Sequence, residues 1–163
     1  MRHRTIIVMG VSGAGKSAVG SALSTHLGRR FVDADDLHPA ANLAKMAQGH
    51  PLDDEDRWPW LDAVGEAAVA DRESVIACSA LRRRYRERLL AADPDAVFVV
   101  LDVAREDLES RVRERHHQFM PPSLLNSQLA AFEPLDSDEP GFAIAVRSSV
   151  ADVVAEIAAR LAQ

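Results

Sequence analysis

Gly10-Val11-Ser12-Gly13-Ala14-Gly15-Lys16-Ser17 satisfies the pattern G-x-x-x-x-G-K-[ST] between an apolar run, Thr5–Met9, and a helical pattern that opens at Lys16. Glycines let such a turn curl until successive N–H groups point inward at phosphate oxygens, and the helix N-terminus adds its dipole. The expected nucleotide cradle is Gly10, Ser12, Gly13, Ala14, Gly15, Lys16, Ser17 and Ala18, with Lys16 bridging the terminal phosphates of ATP and Ser17 on Mg²⁺. Of 19 basic residues only Lys16 and Lys45 are lysines, so this chain writes positive charge as arginine unless something prevents it. A compact ammonium suits a tight phosphate cradle where a planar guanidinium does not. The same bias marks Lys45 as a substrate-side candidate, against its reading as a surface lysine near a helix end.

A second set of side chains suits a hydroxylated acceptor. Phe31-Val32-Asp33-Ala34-Asp35 puts two carboxylates at the end of a predicted strand, and if the extended geometry persists they face one way. One can serve the Mg²⁺ shell, for which Asp33 is the candidate, while the other orients or deprotonates a hydroxyl; either can instead cap the next helix. Arg57, beside Pro59-Trp60, is the first candidate for an anionic group of the substrate or for the transferring phosphate, against an ion pair with Asp53, Asp54 or Asp56. His38 either hydrogen-bonds a hydroxyl or caps locally, and Arg82 can face the acceptor from a strand's end. The neighbouring Arg83, Arg84, Arg86 and Arg88 read as a solvated helix face. Arg111 and Arg115 lie four apart on a predicted helix, hence on one face, leading into the proline-bearing stretch Gln118–Pro122.

Positioning these groups requires strands and helices in alternation. Thr5–Met9, Arg30–Val32, Ser74–Cys78, Ala96–Leu101 and Phe142–Val146 read as strands. Helical patterns cover Lys16–Leu27, Ala40–Gln48, Asp62–Ala70, Arg83–Ala92, Arg105–His116, Ser123–Phe132 and Ser149–Ala162. The fold class is therefore α/β, a five-stranded parallel sheet with helices on both faces, because each parallel strand pair needs a crossover. The acidic, aromatic stretch Leu52–Trp60 and the loop-like Glu133–Gly141 depart from the alternation, and the second falls in a mobile lid expected over roughly 111–140.

With 163 residues, one domain spanning 1–163 is expected. A net charge of −6, with one dense basic cluster, argues against nucleic acid as a partner. No apolar stretch approaches the roughly 20 residues that span a bilayer, so no membrane partner is expected either. Cys78, the single cysteine, follows Val75-Ile76 and reads as a buried strand residue in a reducing, cytoplasmic setting.

The phosphate loop together with Asp33-Ala34-Asp35-Asp36-Leu37-His38-Pro39, Asn42, Lys45-Met46, Asp54 to Arg57, Pro59-Trp60-Leu61 and Cys78-Ser79-Ala80-Leu81 resembles the gluconokinase family in order and spacing. The resemblance continues through Glu109-Ser110-Arg111, Phe119-Met120-Pro121 and Ser127-Gln128 and covers nearly the whole chain. It implies a P-loop kinase fold, transfer of the ATP γ-phosphoryl to the 6-hydroxyl of D-gluconate, and a homodimer. Similarity to the wider nucleoside-monophosphate and shikimate kinase superfamily implies that one of Arg111 and Arg115 stacks near adenine while the other reaches the phosphates. Gln118 stands where the family commonly has His, so that histidine's role does not transfer. The competing readings are a P-loop kinase for another hydroxy acid such as shikimate, and a non-catalytic NTP-binding module. The second leaves Asp33, Asp35, His38 and Arg57 without a purpose.

Overall fold

The computed structural model describes residues 4–114 and 123–163. Five parallel strands, β1 (Ile6–Met9), β2 (Phe31–Asp33), β3 (Val75–Ala77), β4 (Val97–Asp102) and β5 (Gly141–Ala145), form one sheet in the order β2-β3-β1-β4-β5. The helices are α1 (Lys16–Leu27), α2 (Ala40–Ala47), α3 (Asp54–Ala70), α4 (Arg83–Ala92), α5 (Arg105–Glu114), α6 (Ser123–Ala131) and α7 (Val150–Leu161), with a 3-10 turn at Ala34–Leu37.

The central strands are apolar without alternation because both faces of the sheet are covered. Ile6, Val8, Val97, Val99 and Leu101 point to one side, where Val19 and Leu23 of α1 and Val153 and Ile157 of α7 meet them. Ile7, Met9, Ile76, Phe98 and Val100 point to the other, against Trp60, Leu61 and Val64 of α3 and Tyr85 and Leu89 of α4. The connection leaving β1 runs to β2 and the one leaving β3 runs to β4, so the chain departs in opposite directions from two adjacent strands. A crevice opens above such a reversal at the carboxyl edge, where α/β sheets bind ligands.

Two stretches differ from the sequence-based expectation. Helix α3 starts at Asp54, not Asp62, because Asp53 and Asp56 form a reciprocal capping box: Asp53 Oδ1 accepts from the Asp56 N–H at 2.8 Å, and Asp56 Oδ2 from the Asp53 N–H at 2.9 Å. Pro59 lies inside this helix, deprives the Glu55 carbonyl of its donor and is tolerated within the second turn.

Of the α4 arginines, Arg83, Arg84 and Arg88 keep solvent-facing positions and pair there with acids, whereas Arg86 departs from the expected solvated face. Arg88 pairs with Asp62 at 2.7 Å, Arg84 with Asp54 at 2.7 Å, and Arg83 with Asp136 and Asp138, each at 2.6 Å. Arg86 is fully buried, donates to Glu139 Oε1 at 2.6 Å and to the carbonyls of Ala80, Leu81 and Pro134, and so ties residues 134–139 to the end of β3. The stretch 133–140, expected in the lid, is thus anchored to α4. Breaking a buried pair strands a charge, so Arg86→Leu is expected to cost about 3–5 kcal/mol in urea denaturation, with part recovered in Arg86→Leu/Glu139→Leu. A loss below about 1 kcal/mol would contradict the anchoring role.

Candidate active site

The phosphate loop follows β1 and hands directly to α1. Gly13 and Gly15 adopt φ of 84° and 93°, the left-handed region where a Cβ is strained, and Gly15 serves as N-cap of α1 without a side-chain bond. Within the loop the Ala14 N–H donates to the Val11 carbonyl at 3.1 Å, which closes its curl. Lys16 Nζ donates back to the Val11 carbonyl at 3.1 Å, which folds its stem over the cradle. Arg111 of α5 donates to the carbonyls of Gly13 at 3.1 Å and Ala14 at 3.4 Å, so it braces the loop from behind. Arg115 and Gln118 lie outside the described residues. From α6, Gln128 Oε1 accepts the Ser12 N–H at 2.6 Å, a contact that sequence reading missed.

The two aspartates stand at the end of β2 and in the turn that follows it. Strand β2 ends at Asp33, so alternation along an extended strand does not orient Asp35; the 3-10 turn does. Asp33 Oδ1 caps that turn by accepting the Asp35 N–H at 3.0 Å, and Oδ2 accepts from Ser17 Oγ at 2.7 Å. Capping and a place beside the phosphate loop are one residue's work. The Asp35 carboxyl is held above the ordinary carboxylate range because burial disfavours its charge, with Lys16 opposing and Asp33 and Asp36 reinforcing.

Trp60 of α3 fixes the turn: Nε1 donates to the Ala34 carbonyl at 2.7 Å, and the His38 ring stacks on its face at 4.2 Å. The Asn42 amide nitrogen lies 3.2 Å from His38 Nδ1 and also donates to the Asp56 carbonyl at 2.9 Å. An amide nitrogen only donates, so Nδ1 accepts and the neutral imidazole carries its proton on Nε2. Burial and the Arg57 charge lower the His38 pKa to about 4. Because the unfolded ring protonates at 6.5 and the folded one does not, His38 contributes stability that is complete above pH 6.5 and is lost as pH falls toward 4. The urea midpoint should therefore fall across that window, less steeply in His38→Gln. Equal slopes in both proteins would contradict the buried neutral imidazole.

Arg57, one turn into α3, donates through Nη1 to the Leu52 carbonyl and to Tyr85 Oη at 3.2 Å. It makes no carboxylate ion pair among the described residues, unlike the alternative weighed from sequence. Arg82 lies on the cleft wall with Glu133 3.8 Å from its guanidinium. Lys45, in the last turn of α2 as its alternative reading has it, pairs with Asp56 at 2.6 Å and Asp53 at 3.7 Å and joins α2 to the capping box of α3. Cys78 is buried as expected, its thiol pushed up to about 12 by desolvation.

These walls enclose one cleft of about 1250 Å³, lined by residues of the phosphate loop together with Asp35, His38, Arg57 and Tyr85. That volume exceeds the roughly 300–1,000 Å³ of a single small-ligand pocket and accommodates a nucleotide together with a small acceptor. An anion cradle at the first strand-to-helix junction, an acidic acceptor pocket and a reversed parallel sheet define a P-loop kinase.

Comparison with known proteins narrows the class. Residues 6–135 match the family described as AAA domain. The gluconokinase of Gluconobacter oxydans (strain 621H) is 46% identical over 144 residues, 86% of this chain and 81% of that protein. The crystal structure of a gluconokinase from Sinorhizobium meliloti 1021 superposes with a TM-score of 0.88 at 44% identity, covering 98% of this chain and 92% of the other. An unliganded sugar kinase from Janibacter sp. HTCC2649 gives a TM-score of 0.92 at 38% identity over 99% and 95% of the two chains. The chain belongs to the gluconokinase family.

Proposed function

We propose that this protein transfers the γ-phosphoryl of ATP to the 6-hydroxyl of D-gluconate, giving 6-phosphogluconate and ADP. The observation that carries the reading is the placement of Arg57, a cation without a carboxylate partner among the described residues, in one cleft with Asp35 and the Lys16 cradle. A sugar acid brings one carboxylate and a ladder of hydroxyls. The pocket offers a guanidinium for the first and, for the others, the His38 Nε2–H and the oxygens of Asp35.

The chemistry is positioning and charge compensation. Loop N–H groups and Lys16 hold the phosphates, and Asp35 orients the acceptor hydroxyl and takes its proton as the new P–O bond forms and the bond to the departing ADP oxygen breaks. Burial raises the Asp35 pKa and so makes its carboxylate a stronger base than an exposed aspartate. Ser17 Oγ and Asp33 Oδ2 are a hydroxyl and a carboxylate oxygen beside the phosphates, the donor types that fit Mg²⁺ when water and phosphate oxygens complete its shell. Bound there, Mg²⁺ supplies neutralisation of phosphate charge. We assign Arg82 to the acceptor side and Arg111 to the nucleotide side on their positions in the cleft and against the loop. A cytoplasmic homodimer is the proposed state; no helix among the described residues is long and apolar enough to cross a membrane.

A coupled ADP-release assay across gluconate, other sugar acids, shikimate and nucleoside monophosphates tests the reading. Gluconate is expected to have the highest kcat/KM. Preference for shikimate or a nucleotide, or ATP binding with no acceptor-dependent ADP release, would overturn it.

A further inference from the structure

Four carboxylates, Asp53, Asp54, Glu55 and Asp56, immediately precede Arg57 in the chain. Asp54 lies three residues before Arg57 on the same helix, the spacing at which an acid and an arginine ordinarily pair. Yet Asp54 Oδ2 is taken by Arg84 at 2.7 Å, and Oδ1 by the Tyr85 hydroxyl at 2.7 Å. Asp53 and Asp56 are closed on each other in the capping box and held by Lys45. Among the described residues Arg57 hydrogen-bonds to neutral oxygens, the Leu52 carbonyl and the same Tyr85 hydroxyl at 3.2 Å, with its guanidinium 5.1 Å from the centre of the Tyr85 ring.

The geometry points to Tyr85 as a positioning residue for acceptor specificity: its hydroxyl donates to Asp54 and accepts from Arg57, holding the two apart so that the Arg57 charge stays available to an anionic acceptor. The hydroxyl suits this place because it is both donor and acceptor, and the ring, 2% exposed and set edge-on to Trp58, cannot swing away. Without it Asp54 loses a partner, and Arg57 loses its anchor and gains a carboxylate one helical turn away. Arg84, on the other oxygen of Asp54, and Lys45, on Asp53 and Asp56, serve the same end. The inference rests on the anionic acceptor proposed above and adds what keeps its binding group unpaired.

The test is the pair Tyr85→Phe and Tyr85→Phe/Asp54→Asn. In Tyr85→Phe the KM for gluconate is expected to rise about tenfold, the scale of one hydrogen bond to a charged group, with the KM for ATP unchanged and a smaller change in kcat. Adding Asp54→Asn removes the competing carboxylate and should return the gluconate KM to within about threefold of wild type. A gluconate KM within twofold of wild type in Tyr85→Phe, a parallel rise in the ATP KM, or no recovery in the double variant would each overturn the inference. A wild-type protein that turns over no gluconate overturns the acceptor reading instead. The inference is then decided by titrating sulfate against the fluorescence of Trp58 and Trp60: weaker binding in Tyr85→Phe than in wild type supports it, and equal binding overturns it.

Discussion

Lys16→Ala is expected to lower kcat by about a thousandfold or more while leaving the urea midpoint where it is in the wild type. The lysine sits at the start of α1 with its stem folded over the loop, and its Nζ is 3.1 Å from the Val11 carbonyl. Its ammonium is a compact positive group beside the cradle. Remove it and the charge gathering on the transferred phosphoryl loses its closest protein counter-charge, where water exclusion makes that loss large. The loop keeps its shape, because Gly13, Gly15 and the Arg111 braces set it and none of these depends on the ammonium. Steady-state turnover with a denaturation curve on the same sample separates the two effects. Retained activity would remove Lys16 from the phosphate role, and a collapsed fold would make it structural.

Asp35→Asn is expected to reduce kcat by about a hundredfold to ten-thousandfold with ATP still bound. The amide keeps the size of the carboxyl and the 3-10 turn that carries it, since the turn's cap is the Asp33 side chain accepting the residue-35 N–H. What it lacks is the capacity to take a proton. Burial raises the Asp35 pKa, so the wild-type carboxylate becomes protonated, and idle as a base, at a pH where an exposed aspartate is still ionised. The acid limb of the kcat profile should accordingly lie above the ordinary aspartate value of 3.8 and be absent from the residual activity of Asp35→Asn. Unchanged kinetics, or the same acid limb in both proteins, would take Asp35 out of the proton transfer.

Much of this was legible in the chain because it depends on local rules. The strands of the sheet read correctly from apolar runs, and α1 with Gly28 beyond it read to the residue, since a left-handed glycine closes that helix. The phosphate loop was equally plain, its spacing being fixed by the curl of one short segment. Errors arose where distant partners decide. Arg86 looks like its exposed neighbours in sequence, and only Glu139, which follows β4, α5 and α6 in the chain, makes it a core residue. The stretch 52–60 was set apart from the alternation and its helix started at Asp62, although the D-x-x-D signal of Asp53 and Asp56 was there to be read. Lys45 was marked by its scarcity and weighed against a surface lysine near a helix end, and its partners are the two acids of that same box. Tyr85 lay hidden in an arginine run, and Gln128 had no local signal to tie it to Ser12.

The central claim is a geometry: one cleft presents a six-carbon acid to the γ-phosphate with its carboxylate on Arg57 and its far hydroxyl on Asp35. A crystal structure with a non-hydrolysable ATP analogue and gluconate measures it directly. The account predicts the 6-hydroxyl oxygen within hydrogen-bond distance of Asp35 and the sugar carboxylate on the Arg57 guanidinium. Gluconate bound with its carboxylate toward the phosphates, or outside the cleft between Lys16 and Arg57, would contradict it.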